Sequence, residues 1–387
     1  MSISKSTNYR VKNFVLVIIS LTLSLFFADL ILANYETSRN ILRSQSHIYQ
    51  DDDRYGWKFI PGLHSLNNPF GESIEVSVNK DGFRGNLGNR NASTIDTKKV
   101  IFIGDSVTAG MQVNDGETFS DLLNELSKGN FETYNFGING FSTDQSLLVL
   151  EDYIEKISPD FVVYTFVLND PEFNLEKKLT HNGYSWGKPF FDQELVFHKK
   201  EFSKLSNVEY TEKIKNFFRE NSSIYRLLSR AKNKFVANKS SCSALDSVID
   251  RYSEYKSKIW KDRWAMTEKL ILKMKEMSES NDAKFLMVDH IEPAYADENV
   301  AKELEHCGKK LNSEININAP RIMISNIANR LSLTFVQTSF KENYQFTKQK
   351  NCDLNFLTPE KKLIDGHLTK CGHELLATKL FRQLRDY

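Results

Sequence analysis

From residue 99 onward the chain alternates between short apolar runs and helix-like segments, and this alternation constrains the fold more than any other feature. Apolar, β-prone runs predict buried strands at 99–104, 132–136, 161–167, 284–288 and 333–336. Helical spacing of apolar residues predicts helices near 117–128, 143–157, 262–279, 318–331 and 372–385. Such alternation predicts an α/β domain whose parallel sheet is covered by helices.

The N-terminus predicts a membrane anchor. Residues 14–33 are almost wholly apolar, and roughly 20 such residues can cross a bilayer. The preceding Lys5, Arg10 and Lys12 predict a cytoplasmic tail and an extracytoplasmic bulk. A secretory signal peptide is the alternative, although Ile31 stands where a cleavage site would have a small residue. We therefore expect a single-pass protein of the cell membrane, with secretion after cleavage as the alternative.

These features predict how the chain is organised. We expect a cytoplasmic tail at 1–13, a transmembrane helix at 14–34, a stalk and lead-in at 35–98, and a main domain at 99–387 with a helical insertion at 174–262. In the lead-in, Ile74, Val76 and Val78 alternate with polar residues and predict an edge strand or hairpin arm. A net charge of +1 removes any global argument for nucleic-acid binding.

Two separated tripeptides carry the residue types of a catalytic triad. Gly104-Asp105-Ser106 follows the first strand, and Asp365-Gly366-His367 precedes the last helix. A serine hydroxyl needs a histidine to accept its proton and a carboxylate to orient that histidine. Ser106 is the candidate nucleophile, His367 the candidate base and Asp365 the candidate orienter. The alternatives are a turn serine, a helix-capping aspartate and an exposed histidine, and His373 is expected to have a packing or capping role.

An oxyanion formed during acyl transfer needs hydrogen-bond donors aimed at it. The backbone N–H groups of Ser106 and Gly140 and the side-chain amide of Asn169 are the candidates, and each follows a predicted strand. Because ligands bind outside the carboxyl ends of the strands in open α/β sheets, all three could meet at one edge. Taken singly, Gly140 and Asn169 could equally be a turn glycine and a loop asparagine.

The four cysteines could form two disulfides in an oxidising compartment. Cys352 with Cys371 is the pair to test first, because it would brace the segment carrying His367; free thiols are the alternative. The chain has no CxxC motif and no spaced His/Cys set of the kind that binds zinc. We expect neither a metal nor a cofactor.

Together these motifs resemble the four sequence blocks of the SGNH/GDSL hydrolase family. Gly104-Asp105-Ser106, Gly140, Asn169 and His367 occur in the family's order. The chain is most similar to membrane-anchored bacterial members, which carry a lead-in like residues 55–85. The resemblance implies a three-layer α/β/α, flavodoxin-like fold and ester chemistry.

The same resemblance implies the roles of the site residues. Ser106 would be the nucleophile, Gly140 and Asn169 oxyanion donors, and His367 the base with Asp365 as its orienter. The chain departs from the family pattern in two places. Bulky Val167-Leu168 precede Asn169, and the last block reads Asp-x-His where Asp-x-x-His is usual.

From these observations we expect an extracytoplasmic serine esterase that acts on O-acyl, above all acetyl, esters through an acyl-enzyme. An O-acyltransferase that modifies a cell-envelope polysaccharide is one alternative, because water and a sugar hydroxyl can both accept the acyl group. A catalytically silent envelope assembly or binding protein is the other. The expected partners are an acyl-ester substrate, which the anchor and the resemblance suggest is linked to carbohydrate, and the membrane.

Overall fold

The computed structural model describes most of the chain. The described residues are 3–38, 48–85, 97–181, 184–201, 257–290, 318–337, 340–357 and 363–387, with residue 316 and scattered residues between 214 and 252. They fall into two compact units, 1–44 with 206–240, and 45–205 with 241–387. The predicted insertion is therefore divided, since residues 174–205 belong to the larger unit and 206–240 group with the N-terminal helix.

The described elements are numbered in chain order. The strands are β1 (Tyr49–Asp52), β2 (Gly56–Phe59), β3 (Gly62–Asn67), β4 (Ser73–Val78), β5 (Lys98–Gly104), β6 (Phe131–Asn135), β7 (Phe161–Val167), β8 (Lys178–His181), β9 (Tyr184–Gly187), β10 (Phe190–Phe191), β11 (Phe197–His198), β12 (Lys284–His290), β13 (Thr334–Val336), β14 (Asn355–Leu357) and β15 (Leu363–Leu368). The helices are α1 (Ile3–Ser38), α2 (Ser106–Ala109), α3 (Phe119–Leu126), α4 (Thr143–Ile157), α5 (Asp170–Phe173), α6 (Lys258–Ser280), α7 (Ala319–Arg330), α8 (Phe340–Lys350) and α9 (Lys370–Leu384).

The centre of the larger unit is a five-stranded parallel sheet in the order β6-β5-β7-β12-β13. Counted along the chain within this sheet, the order is 2-1-3-4-5, which is that of flavodoxin-like folds. Gly104 is in register with Thr165 on β7, and His290 with Val167. The predicted parallel α/β sheet is confirmed, and the carboxyl ends of β5, β7 and β12 share one edge.

Helices cover both faces of this sheet because its strands are apolar on both sides. Val100 and Phe102 point into a core formed with α3 and α9. Ile101 and Ile103 point into a second core, formed with α4, α6, α7 and the lead-in strands. These two cores confirm the three-layer α/β/α architecture.

Antiparallel hairpins account for most of the remaining strands. In the lead-in β1 pairs with β2 and β3 with β4, so the predicted hairpin arm is present. Residues 178–198, inside the predicted helical insertion, form the hairpins β8-β9 and β10-β11 instead. Aromatic residues, which favour strands, are frequent in this stretch, and Asn182-Gly183 is a hairpin-turn sequence.

The smaller unit contains α1, which includes one segment long and apolar enough to cross a membrane, Val15–Ala33. Its mean hydropathy is 2.6. Residues 14–34, where the sequence predicts a membrane helix, lie within α1. The segment qualifies as a membrane span by length and composition, which a signal sequence would also satisfy.

Candidate active site

Ser106 opens helix α2 immediately after β5. Gly104, the last residue of the strand, has φ +151°, and a Cβ there would lie 2.5 Å from Thr108 Oγ1 and 3.1 Å from the Thr165 carbonyl oxygen. A residue with a side chain would therefore be strained and crowded at this turn. The close turn places Ser106 at the sheet edge, as the sequence predicts.

Asp105 lies between Gly104 and Ser106 and is the N-cap residue of α2. Its Oδ1 accepts a hydrogen bond from the Val107 backbone N–H at 2.9 Å, and its Oδ2 accepts one from Ser106 Oγ at 3.2 Å. Burial raises the pKa of this carboxyl, and the nearby His367 acts in the opposite direction. Sequence reasoning assigned Asp105 no role, although an aspartate before a helix start is a recognisable N-cap signal.

The loop that carries Gly140 lies directly against α2. A Cβ on Gly137 would fall 2.3 Å from the Ala109 backbone nitrogen, so only glycine permits this approach. Gly140 itself has φ +78°, and the neighbouring Asn139 carbonyl accepts a hydrogen bond from Trp57 Nε1 at 3.0 Å. The structure thus brings the predicted Gly140 turn to the same sheet edge as Ser106.

Asn169 follows β7 and occupies the N-cap position of α5, but its side chain does not cap that helix. The next residue, Asp170, fixes the end of β7 through its side chain. Asp170 Oδ2 accepts hydrogen bonds from Tyr164 Oη at 2.6 Å and from the Val167 backbone N–H at 3.0 Å. Burial is the largest cause that raises the pKa of Asp170 well above its usual value. Asn169 therefore lies at the predicted edge, on a strand end braced by its neighbour.

A buried polar network links the Gly140 and Asn169 loops. Tyr164 Oη lies 3.0 Å from Thr143 Oγ1 at the start of α4, and Asn174 Nδ2 donates to the same Thr143 oxygen at 3.1 Å. Beside it, the buried Lys188 forms an ion pair with Asp144. Because Lys188 follows β9, the β8-β9 segment is tied to the start of α4.

His367 lies on β15, where the sequence predicted a loop. This strand pairs with β14 and also contacts α2, so the base candidate and the nucleophile candidate lie on touching elements. The preceding Gly366 carbonyl accepts a hydrogen bond from Asn355 Nδ2 at 2.6 Å. The backbone of Asp365 belongs to β15, while its side chain lies outside the described residues, and its role stays a prediction.

His290 is a site neighbour that sequence reasoning missed. It ends β12, and its Nε2 lies 3.3 Å from the Gly366 carbonyl oxygen, to which the Nε2–H tautomer donates. Burial lowers the pKa of His290 to about 4, and repulsion from His367 adds to the effect. The ring is therefore neutral at neutral pH. No local motif marks His290, because the contact exists only once β12 and β15 are placed.

His373 has the packing role that the sequence predicted. It is buried on α9, accepts a hydrogen bond from the Phe119 backbone N–H on Nδ1 at 3.1 Å, and stacks on the Phe119 ring. Burial lowers its pKa well below the usual value. The first residue of α3 is thereby fixed to α9.

Cys352 and Cys371, the pair to test first, form a disulfide. It joins the end of α8 to the start of α9 and encloses the β14-β15 pair that carries His367. The other two cysteines, Cys242 and Cys307, lie outside the described residues.

The lead-in also supports α2. The buried Arg84 donates hydrogen bonds to the carbonyl oxygens of Gly110, Ala109 at 3.3 Å and Val113 at 2.7 Å. These carbonyls lie at and beyond the end of α2, where a cation is electrostatically favourable. Arg84 and Trp57 therefore connect the lead-in to both the nucleophile helix and the Gly140 loop.

Within the part of the chain that the structure describes, no group of three or more His, Cys, Asp or Glu residues is arranged to hold a metal ion.

No family model and no curated protein matches the chain. Solved structures do, among them an acetyl xylan esterase at 17% identity that covers 74% of this chain and 99% of its own, with a TM-score of 0.36. A lipase/acylhydrolase from Enterococcus faecalis matches at 12% identity, covering 75% and 96%, with a TM-score of 0.36. A GDSL-like lipase from Bacteroides thetaiotaomicron matches at 12% identity, covering 76% and 92%, with a TM-score of 0.33.

These proteins are esterases and lipases. The fold is defined by the strand order of the central sheet and by the two cores on its faces. The fold and the site together define a flavodoxin-like α/β domain with a serine, a histidine and candidate oxyanion donors at one sheet edge.

Proposed function

We propose that the protein is a serine esterase that cleaves O-acyl esters through an acyl-enzyme on Ser106. One observation carries the proposal: α2, which begins at Ser106, contacts β15, which carries His367. A serine at the carboxyl edge of a parallel sheet, on an element that touches the strand carrying a histidine, has the groups needed for nucleophilic catalysis.

In the proposed reaction Ser106 Oγ attacks the ester carbonyl carbon while its proton passes to the His367 ring. The Ser106 N–H, the Gly140 N–H and the Asn169 amide stabilise the oxyanion of the tetrahedral intermediate. The bond to the alcohol then breaks, and the alcohol leaves with the proton from His367. Water attacks the acyl-Ser106 ester by the same route and releases the acid and the free serine.

We propose that this chemistry takes place outside the cytoplasm. The basic residues ahead of the apolar segment of α1 support this orientation. The Cys352–Cys371 disulfide agrees with an oxidising compartment. For such a location we propose short acyl esters, above all acetyl esters of envelope carbohydrates, as the substrate class.

The first test uses the detergent-solubilised full chain and p-nitrophenyl acetate. Wild type should release p-nitrophenol with turnover, and Ser106→Ala should reduce kcat to background while the melting temperature is preserved. Ser65→Ala, which changes an exposed serine on β3, is the matched control and should keep the wild-type rate. Equal turnover by wild type and Ser106→Ala would refute the proposal.

The role of Asp365 has a separate test. Asp365→Asn should lower kcat by orders of magnitude and leave KM nearly unchanged, because an amide cannot hold the histidine in the working tautomer. Steady-state kinetics on the same ester measures both parameters. A near-wild-type kcat would assign the orienting role to another carboxylate, and Asp105→Asn would then be measured beside it.

A further inference from the structure

The proposed function leaves residues 206–240 of the smaller unit without a role. Five of the described side chains in this segment are apolar and largely exposed: Ile214 (47%), Phe217 (60%), Phe218 (46%), Leu227 (51%) and Leu228 (62%). Soluble monomeric proteins rarely expose so many large apolar side chains together. The segment therefore has the composition of a contact surface.

The same segment is attached to the apolar part of α1 through Asp29. Asp29 Oδ1 accepts hydrogen bonds from Ser222 Oγ at 2.9 Å and from the Ile224 backbone N–H at 2.8 Å. Ser222 Oγ also accepts a hydrogen bond from the Tyr225 backbone N–H at 3.1 Å. A carboxylate inside a membrane span is costly unless it has partners, and residues 222–224 supply them.

These hydrogen bonds set the depth at which residues 222–224 would lie in a membrane crossed by α1. Asp29 precedes the last residue of the apolar segment, Ala33, by about 6 Å along the helix axis at roughly 1.5 Å per residue. Amphipathic segments that lie in the plane of a membrane sit roughly 5–10 Å into the boundary between headgroups and acyl chains. Residues 222–224 are therefore held at the depth of an interfacial segment.

The charge of residues 206–240 also suits a membrane surface. Residues 206–240 contain eight Lys and Arg residues and three Glu residues. A basic, apolar segment is attracted to anionic headgroups while its apolar side chains enter the acyl region.

We propose that the described residues between 214 and 229 lie in the membrane that α1 crosses, within the leaflet at the carboxyl end of the apolar segment, and that Asp29 fixes them to α1. The occupant of the exposed apolar surface is the lipid bilayer, with anionic lipids favoured. This inference rests on the expectation from the sequence that α1 stays uncleaved as an anchor, and it does not depend on the esterase activity.

The test uses the full chain in nanodiscs whose lipids carry a photoreactive diazirine on the acyl chain, followed by peptide mapping. Peptides from α1 and from 214–229 should both be labelled. Phe217→Ser with Leu228→Ser should lower labelling of 214–229 several-fold and leave α1 labelled. Leu63→Ser, at a 67% exposed leucine of the larger unit, is the matched control and should change neither signal.

Two further comparisons sharpen the result. Asp29→Ala should lower the labelling of 214–229 while α1 remains labelled, and phosphatidylglycerol discs should label 214–229 more strongly than phosphatidylcholine discs. Labelling of α1 without labelling of 214–229 in wild type would overturn the inference. Hydrolysis of p-nitrophenyl acetate by the same samples reports on the esterase separately, so failure of either proposal can be recognised.

Discussion

His367 and His373 show how environment, and not residue type, decides what a histidine does. His373 is almost fully buried against Phe119, whereas His367 is partly exposed on β15 beside α2. The neutral His373 ring accepts a hydrogen bond from the α3 backbone, which a protonated Nδ1 cannot do. His373 therefore has a structural role that depends on its lack of charge.

This role predicts acid sensitivity. Because burial lowers the pKa of folded His373 well below about 6.5, the unfolded chain binds a proton that the folded chain does not, and stability falls as pH drops below that value. His373→Gln keeps an acceptor for Phe119 without a titrating ring. The melting temperature of the variant should therefore fall less than that of wild type between pH 7 and pH 5.

Scanning fluorimetry of the solubilised chain across this pH range measures the difference. His198→Gln, at a half-exposed histidine on β11, is the matched control and should keep the wild-type decline. Identical declines for wild type and His373→Gln would contradict the assigned role.

Among the elements, the lead-in does more than cover the sheet. Through Trp57 it holds the Asn139 carbonyl beside Gly140, and through Arg84 it holds the carbonyls at the end of α2. Both residues bind backbone carbonyls near the proposed catalytic groups, and neither binds a catalytic group itself. Trp57 and Arg84 therefore support the segments that carry the proposed catalytic groups.

Trp57→Phe tests this positioning. The variant keeps an aromatic ring in the core and removes the donor to the buried Asn139 carbonyl, at a stability cost of about 1–3 kcal/mol. We expect kcat to fall about tenfold with KM unchanged, since small displacements of catalytic groups have large kinetic effects. Trp264→Phe, at a buried tryptophan that packs on Phe166, is the control. If both variants lose kcat equally, the lead-in is not a specific support for the Gly140 loop.

The elements also differ in how far they could be predicted from sequence. Strand β7 and helix α4 agree with their predicted bounds because long apolar runs and helical spacing are strong local signals. Helix α8 was not predicted, since its surface is largely polar and lacks an apolar stripe. Short paired strands such as β14 and β15 depend on contacts between distant residues, which a local pattern does not reveal.

The residues of the candidate site also differ in how far they could be predicted from sequence. Ser106 and the Gly140 turn were predictable because an apolar strand followed by glycine predicts a turn at the edge of the sheet. The neighbours that hold them, Trp57, Arg84 and His290, were not, because each acts through a backbone carbonyl of a distant segment. Sequence reasoning thus found the groups proposed for the chemistry and missed their supports.

At the scale of the whole molecule, the chain combines a candidate membrane span with a domain whose proposed nucleophile lies at a parallel-sheet edge. We propose that this serine forms the covalent intermediate. Loss of turnover in a variant shows that a residue is required for activity, whereas a covalent adduct identifies the nucleophile itself.

The most direct measurement is peptide mass mapping after the full chain reacts with an activated phosphonate ester, which traps an activated serine. We expect one major adduct, on the peptide that contains Ser106, and His367→Ala should slow its formation strongly because the proton acceptor is lost. An adduct on another residue, or equal labelling of wild type and His367→Ala, would rule out Ser106 as the nucleophile activated by His367.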